Sequence, residues 1–247
     1  MPDNSIEAAE DTPKREGEIV ASLSLLWNAL RTPAGLAGLG AAILLPVVSY
    51  VHYRPMDFGL TARGVLPQGW HQFPWIGVNI LALLVVPLLV VRFGLKERVA
   101  DYGMTLGDWR VQLKHGLVFL LVVVPVIFIA SRLDDFARYY PMFSPARANA
   151  WLLIPWELAY GAYFFAWEFF FRGFLLQGFA KKLGPAAIAL QTVPFVLMHV
   201  GKPEPELYAS VIAGLALGVT GYRSRSFVGC WLVHWICAAS MDIFALI

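Results

Sequence analysis

Two ionisable residues stand four positions apart in an otherwise apolar stretch, residues 164–173 (FFAWEFFFRG). At about 100° per residue, Glu168 and Arg172 lie on one helical face, one turn apart. In a membrane-spanning helix each such residue costs roughly 2.5–3.5 kcal/mol on insertion scales. The pair is therefore either an ion pair that neutralises itself and holds neighbouring helices, or part of a reactive site.

Two histidines are candidates for the same site. Counted outward from Leu183, in the turn between two apolar segments, Glu168 lies fifteen residues before and His199 sixteen residues after. In an antiparallel hairpin these two residues would lie at the same height. His234 lies in the last apolar segment, where a buried neutral imidazole needs hydrogen-bond partners. The pattern predicts that it joins the other two.

One carboxylate and two imidazoles in an apolar pocket suit hydrolytic chemistry. A carboxylate such as Glu168 can act as a general base toward water. His199 and His234, with Glu168 as a further ligand, can bind a divalent metal such as zinc. The two histidines can instead donate hydrogen bonds to the oxyanion that forms when a peptide carbonyl is attacked. Arg172 can hold the carboxylate in place through its planar guanidinium.

Composition sets the broad class of protein that must position these residues. The 247 residues are 58% hydrophobic and 15% charged, with a mean hydropathy of +0.62, which indicates an all-α polytopic membrane protein. The basic residues are scattered and the net charge is only +2, so no nucleic-acid partner is expected. Cys230 and Cys237, about 10 Å apart on one helix, are too distant for a disulfide.

The chain divides into three regions by composition. Residues 1–18 are polar and predict a disordered cytoplasmic tail. Residues 19–33 carry apolar residues at helical spacing and predict an amphipathic surface helix. Residues 34–247 predict a transmembrane domain with seven apolar segments, placed at Ala34–Val51, Trp75–Val91, His115–Ala130, Trp151–Phe171, Ala186–Gly201, Leu207–Tyr222 and Phe227–Leu246. The fourth segment can continue to Ala180 as one long helix.

The basic residues between these segments predict the orientation in the membrane. The larger group falls on the side of the amino terminus: Lys14, Arg15, Arg31, Arg92, Lys96, Arg98, Arg110, Lys114, Lys181, Lys182, Arg223 and Arg225. The smaller group falls on the opposite side: Arg54, Arg63, Arg132, Arg138, Arg147 and Lys202. We therefore expect a cytoplasmic amino terminus and an external carboxyl terminus.

The three motifs together resemble those of the CPBP (ABI) family, intramembrane endopeptidases related to the type II CAAX prenyl proteases that include bacteriocin-processing proteins. The resemblance covers residues 151–247 and rests on Glu168-x-x-x-Arg172-Gly173, Phe195-x-x-x-His199 and His234. A stretch at residues 102–109 (YGMTLGDW) also resembles the segment before the family's core. The resemblance implies a bacterial inner-membrane peptidase that acts on a membrane-associated peptide or protein.

Two positions depart from the family's pattern. Its first motif usually begins with paired glutamates, and the first of these is usually given the water-activating role; here that position is Trp167. Its third motif usually has Asn or Asp four residues after the histidine; here that residue is Ala238. Asp242 lies one turn further and is rotated by about 80° from His234, which makes it a poor substitute.

Three functions remain open. The first is an intramembrane endopeptidase in which Glu168 activates water, with His199 and His234 as oxyanion or metal partners. The second is a non-catalytic protein that binds a membrane peptide or a partner enzyme in the same pocket. The third is a small transporter with Glu168 as a proton site, which the absence of inverted repeats disfavours.

Overall fold

The computed structural model describes residues 12–53 and 69–247, and the regular elements within these ranges are helical. The single helices are α1 (Thr12–Leu30), α2 (Pro33–Tyr53), α4 (Trp109–Ala130), α5 (Asp134–Tyr139), α7 (Ala186–Leu197), α8 (Glu204–Ser224) and α9 (Val228–Phe244). Helix α3 joins Gln72–Ile80, Leu81–Val85, Val86–Leu89 and Val90–Gly94, and helix α6 joins Leu153–Glu168, Phe169–Leu175 and Leu176–Leu183. Short 3-10 helices lie at Val99–Tyr102, Ser144–Arg147 and Ala150–Leu152. The all-α prediction is confirmed for this part of the chain.

Three helical segments in the described ranges are long and apolar enough to cross a membrane: Pro33–Tyr50, Gln72–Gly94 and Trp109–Ala130. Helices α7 and α9 are apolar but have only 12 and 17 residues. At 1.5 Å per residue they reach about 18 and 26 Å, short of a hydrocarbon layer of roughly 30 Å. The protein is therefore a membrane protein by its apolar helices, while the count of seven spans stays a prediction.

The amino-terminal region differs from the expected pattern. Residues 1–11 lie outside the described residues, and helix α1 already begins at Thr12, within the predicted tail. This helix ends at Leu30 rather than at residue 33. The consecutive residues Leu25, Leu26 and Trp27 are all exposed, so the apolar side chains are not confined to one face. The predicted amphipathic surface helix is not confirmed.

Helix α6 is the centre of the bundle, and it contacts α2, α3, α7 and α9. It runs without interruption over residues 153–183, which confirms that the fourth apolar segment continues past Ala180. All seven residues of its middle piece, Phe169–Leu175, are buried. This piece has π-helical hydrogen bonding, a geometry that occurs often at functional sites. The first motif of the sequence therefore lies at the junction of an α-helix and a π-helix.

Glycines permit the close contacts that this central helix makes. A Cβ built on Gly173 would lie 2.6 Å from the backbone oxygen of Tyr102, so the loop before α4 packs directly on the motif. A Cβ on Gly221 would lie 3.2 Å from Cβ of Arg172. Small residues of α8 thus bring its backbone onto the motif, a role that small residues often have between membrane helices.

Contacts at the two ends of the bundle join different sets of loops. At one end Lys181 pairs with Glu97, and the N–H of Asp108 donates to the oxygen of Ser224 over 2.9 Å. At the other end the hydroxyl of Tyr140 donates to Oε2 of Glu206 over 2.7 Å. The structure therefore separates two ends, while which end faces the cytoplasm stays a prediction. Cys230 and Cys237 are both free and buried, as expected.

Candidate active site

The Glu168–Arg172 pair is completely buried in the bundle. Nη1 of Arg172 donates to Oε1 of Glu168 over 3.0 Å, and both side chains are 0% exposed. The guanidinium carbon of Arg172 lies 4.1 Å from the ring centre of Phe195 on α7. The other oxygen of Glu168, Oε2, is buried and has no hydrogen-bond partner among the described residues. The pair is thus fixed on one side and leaves one carboxylate oxygen available.

His234 joins this pair from helix α9. Its Nδ1 lies 2.6 Å from Oε1 of Glu168, the same oxygen that Arg172 contacts. Its ring packs against the ring of Phe164, with centres 4.4 Å apart. The side chain of His234 is 14% exposed, so this histidine connects the buried carboxylate to accessible space.

His199 lies in the turn that follows helix α7 and does not hydrogen-bond the carboxylate through Nδ1. That nitrogen lies 2.8 Å from the backbone oxygen of Phe195, one turn earlier. The imidazole rings of His199 and His234 are 6.4 Å apart between centres and 17° from parallel. The structure therefore brings all four predicted residues into one cluster. Within it, the carboxylate contacts His234 rather than His199, the residue that the hairpin count placed at the height of Glu168.

The partners of the two histidines fix where each ring carries its proton. Carbonyl and carboxylate oxygens only accept hydrogen bonds, so Nδ1 is the donor in both rings. In the neutral ring Nε2 then carries a lone pair. A neutral His199 or His234 can therefore accept a proton from water, whereas donation from Nε2 to an oxyanion requires the protonated ring.

Two cavities meet at this pair of histidines. The aromatic cavity, of about 180 Å³, is lined by His199 and His234 together with the rings of Trp75, Tyr160, Tyr163, Phe164 and Trp167. The aliphatic groove, of about 270 Å³, is lined by the same two histidines and by side chains of α4 and α8 that include Val122, Val126, Ile127, Ala213 and Leu217. Glu168 lines neither cavity. The histidines are thus the cluster's reactive groups in direct contact with accessible space.

Trp167, at the position of the first glutamate of the motif, lines the aromatic cavity beside His199 and His234. Its ring centre lies 6.2 Å from that of His199 and 6.5 Å from that of His234, nearly perpendicular to both. The side chain is 5% exposed, and its buried indole N–H has no hydrogen-bond partner among the described residues. The position that carries a charge in the family's pattern thus carries a large apolar ring with one available donor.

The donor set does not form a three-ligand metal site. Among the described residues, no group of three His, Cys, Asp or Glu side chains is arranged to hold a metal ion. Nδ1 of each histidine donates to an oxygen acceptor, so Nε2 of each ring is the nitrogen that could bind a metal, while Glu168 lines neither cavity. Protein zinc sites usually have at least three protein ligands, and the two imidazole nitrogens fall short of that number.

Sequence reasoning missed a polar group beside the aromatic cavity. Lys202 lines that cavity, and its Nζ donates to Oε1 of Glu206 over 2.6 Å. Burial alone would lower the pKa of Lys202, but the neighbouring carboxylate of Glu206 outweighs it and holds that pKa above its ordinary value. The i,i+4 spacing of these two residues was the available signal, although their position between two predicted apolar segments gave no reason to single them out.

Asp242 has partners away from the histidines. Its Oδ1 accepts from the backbone N–H of Met142 over 2.7 Å, and its Oδ2 accepts from Nε1 of Trp156 over 2.8 Å. The residue is 0% exposed. It therefore ties the carboxyl-terminal part of α9 to the loop before α6. Ala238, where the family's pattern has Asn or Asp, is buried without a polar group.

Part of the chain matches a known protein family. Residues 147–240 match the family model described as type II CAAX prenyl endopeptidase Rce1-like. The matched segment contains all four residues of the cluster, and it confirms the resemblance to the CPBP and CAAX protease family that the motifs indicated. No curated protein and no solved structure matches the chain.

Proposed function

We propose that this protein is an intramembrane peptidase that hydrolyses a peptide bond at the histidine pair. The observation that carries the proposal is the cluster of Glu168, Arg172, His199 and His234 at the junction of two cavities, within the segment that matches a protease family. A buried carboxylate coupled to an accessible imidazole is an arrangement that can activate water. The two cavities would give room for the substrate on both sides of the bond that is cut.

The proposed substrate is a membrane-associated peptide or protein segment. The aromatic cavity and the aliphatic groove are lined mainly by apolar side chains, so they suit apolar side chains or a lipid group attached to the peptide. The site lies toward the end of the bundle that contains Lys202 and Tyr140. With the amino terminus in the cytoplasm, that end would face outward from a bacterial inner membrane.

The proposed reaction assigns each part of the cluster a task. Glu168 supplies the negative charge that drives the activation of water. Arg172 holds that carboxylate in one orientation. His199 and His234 contact the water or the reacting carbonyl group, because they are the members of the cluster that line the cavities.

The experiment is a cleavage assay with the purified protein in lipid nanodiscs. A panel of membrane-associated peptides, with and without a lipidated cysteine near the carboxyl end, would be incubated in H₂¹⁸O and analysed by mass spectrometry. Hydrolysis predicts that one ¹⁸O enters the new carboxyl group. Replacement of both histidines (His199→Ala with His234→Ala) should lower the rate at least roughly 10²–10⁴-fold, the range for loss of a group that transfers protons.

His115→Ala is the matched control for this assay. Nδ1 of His115 contacts the hydroxyl of Thr220 over 3.1 Å, and His115 lines neither cavity of the site. The variant should therefore keep the wild-type rate. Peptides that stay intact with the wild-type protein under all these conditions would refute the proposed activity.

A second candidate function is binding without catalysis, and Trp167 favours it. This residue puts an apolar ring where the family's pattern has its water-activating glutamate, and the ring lines the aromatic cavity. A binding protein would hold a peptide there without cutting it. Glu168→Gln should then leave capture of the peptide nearly unchanged, because an amide oxygen still accepts hydrogen bonds, whereas a peptidase should lose its activity.

A further inference from the structure

The carboxylate of the cluster is separated from the space where a substrate would bind. Glu168 is 0% exposed, and it lines neither the aromatic cavity nor the aliphatic groove. Its Oε1 is contacted by both Arg172 and His234. His234 is the partner that continues outward, because it lines both cavities. A proton taken from a substrate water would therefore reach the imidazole before it could reach the carboxylate.

The two histidines differ in what stabilises them when they accept that proton. His234 has a carboxylate 2.6 Å from its Nδ1, so the positive charge that forms on its ring is opposed by a negative charge. His199 has only the neutral backbone oxygen of Phe195 at its Nδ1. Hydrogen bonds to an ionised acceptor are roughly twice as strong as those between neutral groups. His234 is therefore the stronger base of the two at Nε2.

We infer that, given the proposed peptidase activity, the proton acceptor is Nε2 of His234 and Glu168 is a positioning residue that acts through it. The carboxylate holds Nδ1–H, which fixes the tautomer and directs Nε2 toward the cavities. This unit takes over the task that the family's pattern gives to the glutamate at the position of Trp167. A carboxylate that orients a histidine base is a recurring arrangement in hydrolases of unrelated fold.

The step balances without any further reactant. Nε2 of His234 takes a proton from water while the water oxygen bonds to the carbonyl carbon, and the π electrons of the C=O bond move to its oxygen. When the C=O bond forms again, the C–N bond breaks and its electron pair takes the proton back from Nε2. The products are an amine and a carboxylic acid, and His234 is neutral again.

Chemical rescue tests this assignment. His234→Ala should lower the rate of peptide cleavage roughly 10²–10⁴-fold and leave a space that an added imidazole can fill. Imidazole and 4-methylimidazole should restore part of the activity, because each has one nitrogen that accepts a proton and one N–H for Glu168. The restored rate should increase with the basicity of the added compound, which simple filling of a hole would not produce.

1-Methylimidazole is the matched probe for the role of Glu168. It has a similar size and a similar basicity, but it has no N–H to donate to the carboxylate. We expect no restored activity with this compound. Glu168→Gln should lower kcat with little change in KM, by roughly the 10⁴-fold seen when the carboxylate of a Ser-His-Asp triad becomes an amide. Because the amide leaves Arg172 uncompensated, thermal unfolding of this variant must be measured in parallel, and the rescue of His234→Ala provides a test that does not depend on it.

The outcomes separate this assignment from the proposed function. If the wild type cleaves peptides but no imidazole restores the His234→Ala variant at concentrations that saturate its cavity, the base is not His234 and the peptidase proposal stands. If 1-methylimidazole restores activity as well as imidazole, Glu168 has no positioning role. If the wild type cleaves no peptide, both proposals are overturned. His115→Ala should not respond to any imidazole.

Discussion

The buried pair of Glu168 and Arg172 makes a prediction about stability that can be worked out from its geometry. Replacing Arg172 with Met keeps most of the volume but removes the guanidinium that lies 3.0 Å from Glu168. Both side chains are 0% exposed, so neither charge can be compensated by water. Removing one partner of such a pair typically costs about 3–5 kcal/mol, because the buried charge of Glu168 would keep only the imidazole of His234 as a partner. The contact of the guanidinium with the Phe195 ring is lost as well.

The double variant Glu168→Gln/Arg172→Met should cost much less than the sum of the two single variants. In it no uncompensated charge remains, and the glutamine oxygen can still accept from Nδ1 of His234. Residues in direct contact show coupling energies of roughly 0.5–3 kcal/mol, and we expect a value in the upper part of that range. The coupling energy should be favourable, so that the second substitution recovers part of the stability that the first one loses.

The measurement is a double-mutant cycle in mixed micelles, with unfolding by denaturing detergent followed through tryptophan fluorescence. The nine tryptophans of the chain provide the signal. The exposed pair of Asp135 and Arg138, whose side chains are both 73% exposed, is the control, and its coupling energy should not exceed about 1 kcal/mol. Additive effects of the Glu168 and Arg172 substitutions would show that the two charges do not compensate each other, and would refute the reasoning.

Four further predictions concern stability and orientation. Asp242→Ala should lower the free energy of unfolding by roughly 1–3 kcal/mol for each of the two donors it leaves unpaired, and wild-type stability would contradict the role of this carboxylate in tying α9 to the loop. Gly161→Ala should cost roughly 1–3 kcal/mol, because its Cβ would lie 2.7 Å from a tryptophan ring of α9, whereas Gly77→Ala meets no atom within 4 Å and should be tolerated. Burial would raise the pKa of Glu97, but its hydrogen bonds to a lysine and a tyrosine outweigh this and hold the pKa below the ordinary value. The Glu97–Lys181 pair therefore stabilises the fold at pH values above the unfolded pKa of about 4.3. Glu97→Gln should lower the melting temperature at pH 7, but it should have no effect at pH values below the pKa of Glu97 in the folded protein. A reporter fused after Ile247 should behave as external, and a cytoplasmic signal there would invert the proposed orientation.

The residues that form the site could be predicted from the sequence, because placing ionisable side chains in a membrane has a high free-energy cost. Glu168, Arg172, His199 and His234 stood out as ionisable groups within apolar segments, and the structure brings them together. The hairpin turn was also predictable, since two lysines near a helix end are followed by Gly184 and Pro185, which is a common signal for the end of a helix. In the structure Gly184 takes a positive φ of 56°. Such signals are local, or depend on the cost of burying one kind of residue.

The contacts within the site could not be predicted in the same way. Counting residues from a turn assumes straight α-helices of equal rise, but helix α6 changes to π-helical geometry at Phe169–Leu175. Helix α7 ends at Leu197, so His199 lies in a turn and not on the helix. Both features alter the height and direction of the side chains. The count therefore matched Glu168 with His199, whereas the hydrogen bond is made with His234.

The replacement of the family's first glutamate by Trp167 follows a consistent electrostatic logic in this structure. A second carboxylate beside Glu168 would share one guanidinium, because Arg172 is the cation that contacts the carboxylate of the cluster. If two adjacent carboxylates share one compensating charge in a buried site, ionising both of them has a high free-energy cost. With an indole at position 167 the cluster holds one anion, one permanent cation and two imidazoles. In that arrangement the neutral imidazole of His234 leaves the Glu168–Arg172 pair balanced, and a proton taken up by His234 adds one positive charge that lies directly beside the carboxylate of Glu168.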